Sequence, residues 1–396
     1  MKSAPQIRRW ELWGTGFRSF FLGAALWSVV SMSLWFGVLH LGWKFPFNGQ
    51  GSMIWHAHEM IYGYSIAVVS GFLLTAVPNW TETKPVCGLP LGFVFITWLG
   101  ARIFSVFGGG DLIVLTAGLD LLFIVCLLSC TASPIIKTKN WKQSGVLAKV
   151  ILLGAGNLAF YLGATGYLEN GIRIGLYSGF YLIIALVLVL GRRLIPFFIE
   201  RRLDLSESIR VDKWLDNVLI LLFFMFWVFH VFTQHLVWTQ LTALLLFFLH
   251  IFRLYHWYRP GIWKDPLLWV LFVAYGFLVL SFIVIALPLF GVDSSPFLPL
   301  HLFAVGGIGL ITCGMMSRIS LGHTGRNIKT PPDMIGFSFA CIILAAITRV
   351  FLPMFFTNQY GLWLVISQLL WIAGFSVFIL SYLSILLSPR IDGKLG

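Results

Sequence analysis

The sequence predicts an all-α polytopic membrane protein of about twelve transmembrane helices, with both termini in the cytoplasm. Three observations carry this. Of 396 residues, 59% are hydrophobic and 11% charged, and the mean hydropathy is +0.90; a soluble domain carries roughly 25% charged residues. Apolar runs of about 20 residues, each long enough to cross the hydrocarbon core, recur from end to end. The basic residues also alternate sides. With the N-terminus placed inside, 23 of the 27 Lys and Arg residues fall on the inner side, and only Lys44, Arg102, Arg173 and Arg349 on the outer. One missed span would scramble that alternation, so the bias supports count and orientation together. It also accounts for the formal charge of +12 without invoking nucleic acid.

The first span, near 17–41, follows a polar, basic start and is too long for a signal h-region, so no cleavable leader is expected. The second, near 56–77, opens from the outer side on "HAHEM". The third and fourth lie near 88–107 and 111–131; on the fourth, Cys126 and Cys130 share a face and read as small apolar filler. The fifth and sixth lie near 145–166 and 171–191. The longest polar segment, "RRLIPFFIERRLDLSESIRVDK" (192–213), then reads as a cytoplasmic loop dividing the spans six and six. The seventh to twelfth lie near 214–235, 237–256, 266–290, 297–318, 334–355 and 360–387. No soluble domain is left over, so residues 1–396 read as one integral membrane domain, with no convincing repeat between its halves. The five cysteines form no disulfide framework.

Orientation sorts the nine histidines by depth. His40, His56, His58, His230, His235 and His301 fall near the outer leaflet. His250 and His256 lie toward the inner end of the eighth span, and His323 is in an inner loop. Imidazole is the commonest protein ligand for metals and haem iron, and ionisable groups within spans are costly and usually face the bundle interior. His56, His58 and His301 are therefore the leading candidate ligands, for haem or a metal, with His230 next for a metal; His40 and His235 read as interfacial polar residues. Residues two apart on an ideal helix point about 200° from each other. Either the helix starts after His56 and both imidazoles converge, or His56 and His58 serve two centres. Glu59 reads as a site carboxylate, or as a helix N-terminal acid favoured by the dipole. Tyr62 lies one turn beyond His58. Gly63, Gly306, Gly307 and Gly309 allow close approach of a helix or a flat macrocycle. At the inner face His250 and Arg253 are spaced i,i+3, Arg192 and Arg193 precede Pro196, and Arg318 ends the tenth span. Arg193, Arg253 and Arg318 could reach inward to carboxylates such as haem propionates, or to an anionic lipid head. There is no P-loop, dinucleotide fingerprint, covalent-haem CxxCH or HExxH zinc motif.

"WHAHEMIYGYSIAVVSGFLLTAVPNWT" and "HLFAVGGIGLITCGMMSRISLGHTGR" resemble the second- and tenth-helix signatures of the NnrS family. "RLIPFF" from Arg193 and "HIFR" from His250 match further family patterns. The resemblance runs along most of the chain. It implies a bacterial inner-membrane protein containing haem and copper, linked to nitric oxide metabolism, denitrification and defence against nitrosative stress. By motif match it carries over His56, His58, Glu59, Arg193, His250, Arg253, His301, Arg318 and His323. The sequence departs from the family at Arg192, where a glycine is frequent, and at Phe272, where a histidine is frequent.

The leading expectation is redox chemistry on nitric oxide, or its capture, at a non-covalent b-type haem beside copper or non-haem iron near the outer leaflet. Reduction to nitrous oxide would take electrons from a quinol or another donor, with Glu59 relaying protons and Tyr62 assisting. Two other classes stand beside it: a non-catalytic haem protein that binds or senses nitric oxide, and a metal or haem transporter, the latter opposed by the missing repeat symmetry.

Overall fold

The computed structural model describes residues 11–209, 212–292 and 295–393. Lys2, Arg8, Arg9, Arg210 and Lys394, counted in the charge asymmetry, lie outside the described residues. Among those described there is no strand, and twelve helices are long and apolar enough to cross a membrane. They are α1 (Gly16–His40), α2 (Ser52–Thr81), α3 (Leu89–Phe107), α4 (Gly110–Lys137), α5 (Trp141–Ala164), α6 (Gly171–Leu203), α7 (Lys213–Thr233), α8 (Leu236–Trp257), α9 (Pro266–Phe290), α10 (Phe297–His323), α11 (Ile335–Phe355) and α12 (Thr357–Leu387).

Two boundaries differ from expectation for identifiable reasons. α2 begins at Ser52, just after Gly51 (φ 84°), so both histidines of "HAH" lie inside the helix. α6 runs past Pro196 to Leu203 and stops at Asp204, which takes left-handed φ 51°. The first twelve residues of the expected 192–213 loop are therefore helix. Proline is tolerated there at the cost of one backbone hydrogen bond. α9 starts cleanly, because the Asp265 side chain accepts from the Leu267 amide at 2.8 Å and Pro266 occupies the first turn.

The start of α1 and the end of α12 meet at one end of the bundle, where Arg18 Nη1 donates to the Leu386 and Ser388 carbonyls at 2.8 and 2.7 Å. We call this the terminal end; the opposite, far end is the outer one of the sequence expectation. α2 and α10 are the most enclosed of the twelve helices, whereas Ile96, Val114 and Leu380 stay largely exposed on faces that suit lipid. α1 packs on α2 and on α10 and α12, which ties the two sets of six helices together. The glycines of "GGIGL" serve this packing. A Cβ on Gly306, Gly307 or Gly309 would meet Phe277, Leu278 or Trp371 at 2.6, 2.2 and 2.4 Å, so their close approach is to neighbouring helices and not to a free slot.

Four helices widen into π-helical stretches: Glu59–Ser65 in α2, Phe229–Thr233 in α7, Leu302–Gly309 in α10 and Ile347–Phe351 in α11. Each inserts an extra residue into the turn, a feature frequent at functional sites. They adjoin or contain His58 and Glu59, His230, His301 and Arg349, all in the far half.

Candidate functional site

His56 and His58 serve different surroundings. Both sit on regular helix (Ser52–His58), so they point apart. His58 turns toward α4 and α5 and stacks on Phe160, with ring centroids 4.2 Å apart. Its Nδ1 lies 3.2 Å from Glu59 Oε1; its Nε2 lies 3.0 Å from Asn157 Oδ1 and 3.6 Å from Asp120 Oδ2. Arg102, fully buried, donates to Glu59 Oε2 at 3.0 Å and to Asp120 Oδ1 at 2.5 Å. Trp27 Nε1 also donates to Glu59 Oε2, at 2.9 Å; Asn157 Nδ2 and Tyr161 OH donate to Asp120 Oδ2 at 2.9 and 3.1 Å. Five helices thus converge on two carboxylates and one guanidinium. Glu59 is neither a helix N-terminal acid nor an open carboxylate, since it lies two turns inside α2 and its oxygens are engaged. Gly63 makes room for the network: a Cβ there would stand 2.7 Å from Glu59 Oε2 and from Trp27 Nε1. Tyr62 points away from His56. Its hydroxyl donates to the Gly175 carbonyl at 2.8 Å, and its ring fills the space left by Gly179.

His56 faces the other six helices. Its ring stacks on Trp35, with centroids 4.8 Å apart and planes 4° from parallel, and its Nδ1 is buried without a partner. His301, entering from α10, bonds the Phe297 carbonyl through Nδ1 at 2.7 Å, and Arg349 Nη2 lies 3.4 Å from its Nε2. The field of Arg349 reaches both imidazoles, and that of His56 reaches His301. The Nδ1–carbonyl bond of His301 is the orientation expected of a ligating histidine, since it leaves the lone pair on Nε2. Near by at this end, His40 Nε2 meets Gln368 Oε1 at 2.9 Å.

His230 belongs to neither group. Its Nδ1 meets Tyr181 OH at 2.7 Å, and its carbonyl accepts from Arg173. On the terminal side, buried His250 meets Tyr275 OH through Nδ1 at 2.7 Å, while Nε2 is buried without a partner. Arg253 is ion-paired to Asp216, which Arg192 also reaches at 2.9 Å. A small cavity of about 10 Å³ lies among Arg192, Asp212, Asp216, Arg253 and His256. Arg193 is exposed: its neighbour Arg192 takes the inward place, because only one of two consecutive helical residues can face a given partner. Arg318 lies over the Phe198 ring at 4.0 Å, with Nη1 buried and unpartnered. His323 holds the segment after α12, its carbonyl accepting from Arg390 at 2.8 Å; outside the spans, the hydrogen bonds that Arg390 donates to Asp392 raise its guanidinium further above the ordinary value. An apolar groove of about 80 Å³ between Phe21, Val68, Leu190 and Met315 is small against the roughly 300–1,000 Å³ of a ligand pocket.

Among the described residues, no group of three or more His, Cys, Asp or Glu side chains is arranged to hold a metal ion. The expected set of His56, His58, His301 and His230 divides three ways: His58 is committed to its network, His230 to Tyr181, and His56 and His301 share the Arg349 charge as a neighbour. A guanidinium beside that pair opposes a bare cation, so the residues do not fit copper as they stand. They fit haem better, through the open nitrogens of His56, His301 and His250. Sequence reasoning missed Asp120, Asn157 and Tyr161, and counted Arg102 and Arg349 only as outer charges. An acid and two bases inside spans were a signal in themselves.

The chain matches the family described as NnrS protein over residues 11–390. No curated protein matches it.

Proposed function

The chain belongs to the NnrS family of nitric-oxide-related membrane proteins, and from that premise we propose that it binds haem and acts on nitric oxide where His56 and His301 meet. The observation that supports this is the pairing itself. Two imidazoles from different spans lie in the field of one guanidinium, His301 directly before a π-helical stretch and His56 within one turn of another, with ring nitrogens that no hydrogen bond claims or only a long one does. Nitric oxide is small, neutral and lipid-soluble and needs no polar pore to arrive.

Haem, when bound, would supply an iron that takes up nitric oxide and accepts an electron. The chain's own residues would do the rest. His56 and His301 would ligate, with Trp35 fixing the His56 ring by stacking. Phe297 would fix the His301 tautomer through its carbonyl. On the terminal side His250, through its unpartnered Nε2, would be a second residue able to hold haem, and Arg318, through its unpartnered Nη1, would be able to hold a propionate; Arg253 is already neutralised by Asp216. Joining two molecules into nitrous oxide consumes two electrons and two protons and releases water, so an external donor such as a quinol is required. Glu59 could carry a proton only by leaving Arg102 and Trp27. Its engagement favours a second reading, capture of nitric oxide without turnover. No step is assigned to copper.

The test is His56→Ala and His301→Ala in purified protein, read by haem content, iron spin state and nitric oxide consumption with a reductant. Each variant should lose haem or change its spin state. Unchanged spectra in both would end the proposal, and wild-type haem protein that binds nitric oxide without consuming it would select capture.

A further inference from the structure

Arg349 is a buried charge that the proposed chemistry leaves unused. It sits in the π-helical stretch of α11, only 8% exposed. Most other buried arginines are compensated. Arg102 has two carboxylates, Arg253 has Asp216, and Arg18 donates to backbone carbonyls at the chain end. Among the described residues Arg349 has no carboxylate partner. Its neighbours are His301 Nε2 at 3.4 Å and Tyr360, whose side chain it hydrogen-bonds and whose ring centre lies 5.6 Å from the guanidinium carbon, while its Nη1 is buried with no partner.

The other unsatisfied groups around it are of one kind. His56 Nδ1, within the field of Arg349, is buried and unpartnered. So is the amide nitrogen of Gln368, on α12, which packs against the Arg349 stretch. All are nitrogens able to donate, so what this end of the bundle lacks is an acceptor. A cation is repelled by the guanidinium, and water would satisfy a donor but leave the charge unbalanced. A planar anion offering two oxygens satisfies both, because the guanidinium fork matches it.

We propose that Arg349, with His56 and His301 beside it, forms a site for a small monovalent oxygen anion, a carboxylate or an oxyanion of the size of formate or nitrite. Two sources share this chemistry: a carboxylate arm of bound haem, and a free ion. The first rests on the haem reading above; the second stands without it.

The experiment titrates formate, and separately nitrite, into full-length detergent-purified protein by calorimetry against a chloride background. It compares haem-free and haem-loaded samples of wild type, Arg349→Gln and Arg349→Lys, each checked for monodisperse elution. Haem-free wild type should bind a probe, at least tenfold more tightly than Arg349→Gln. If the natural occupant is a haem carboxylate, loading haem should abolish probe binding, and Arg349→Gln should weaken haem retention. If it is a free ion, haem-loaded and haem-free protein should bind the probe alike. Should Arg349→Gln fail to assemble, Arg349→Lys decides, because loss of the planar fork should weaken binding severalfold. Equal probe binding by wild type and the variants overturns the proposal. So does a wild type that binds neither probe while the variants hold haem as tightly. His56→Ala losing haem while the haem-free protein still binds formate would show the two readings to be separate.

Discussion

At the scale of single residues the molecule turns on which charges find partners. Arg102 holds Glu59 and Asp120 together with no access to water. Removing one member of a buried ion pair leaves the other uncompensated, at a cost of about 3–5 kcal/mol. Arg102→Ala should therefore lower thermal stability in detergent by an amount of that order, while Arg193→Ala, on the exposed side of α6, should change it by no more than about 0.5 kcal/mol. Gly63→Ala should be costly through the same network, by about 1–3 kcal/mol, since its methyl would overlap the Glu59 carboxylate and the Trp27 nitrogen. His58→Ala should destabilise too, but leave any haem spectrum as it is, in contrast to His56→Ala. Much of this was legible in the sequence. Intramembrane Arg102 and Asp120 announce a partner simply by being there. What was not legible is who pairs with whom: Asn157 and Tyr161 are ordinary polar residues until five helices bring them to one carboxylate.

At the scale of elements, the twelve spans could be read because length and apolarity are local properties. The π-helical stretches could not. A helix buried on every side, as α2 and α10 nearly are, carries no amphipathic period, so the sequence holds no phase from which a single extra residue would be noticed. Yet that residue sets the direction of the site. On an ideal helix one residue is about 100° of rotation. Deleting one residue from the Leu302–Gly309 stretch should restore regular helix and swing His301 relative to the Ile308–Ile319 face. Haem content should then fall as it does in His301→Ala, while a deletion in the loop after Asn327 should leave it unchanged. Haem retained at wild-type level in the shortened α10 would mean that the π-helical stretch orients nothing. The loop expected over 192–213 failed for the opposite reason. Its composition is polar, but a charged segment can remain helical once it leaves the membrane, and Pro196 alone does not end it.

At the scale of the whole molecule, the charge asymmetry is sharper than counting made it. Of the four basic residues assigned to the outer side, Arg102 and Arg349 are buried and Arg173 caps the carbonyls of His230 and Val231, which leaves Lys44 as the exposed one. A cysteine at Lys44, in a Cys87→Ser background, should react with an impermeant thiol reagent in intact spheroplasts; a cysteine at Ser206 should react only after lysis. The reverse pattern would turn the protein over and put His56 and His301 on the cytoplasmic side. The Arg102–Asp120 pair also bears on how the chain is made. The two residues lie on α3 and α4, a hairpin closed by the short turn 108–109. A lone arginine or aspartate costs up to about 2.5–3.5 kcal/mol on insertion, most at mid-span, so during synthesis each helix alone bears the cost of its charge. Released together, they can partition as a neutral unit, join Glu59 on the earlier α2 and wait for Asn157 on α5. The network that stiffens the finished protein thus doubles as the device by which two oppositely charged transmembrane segments escort each other into the bilayer.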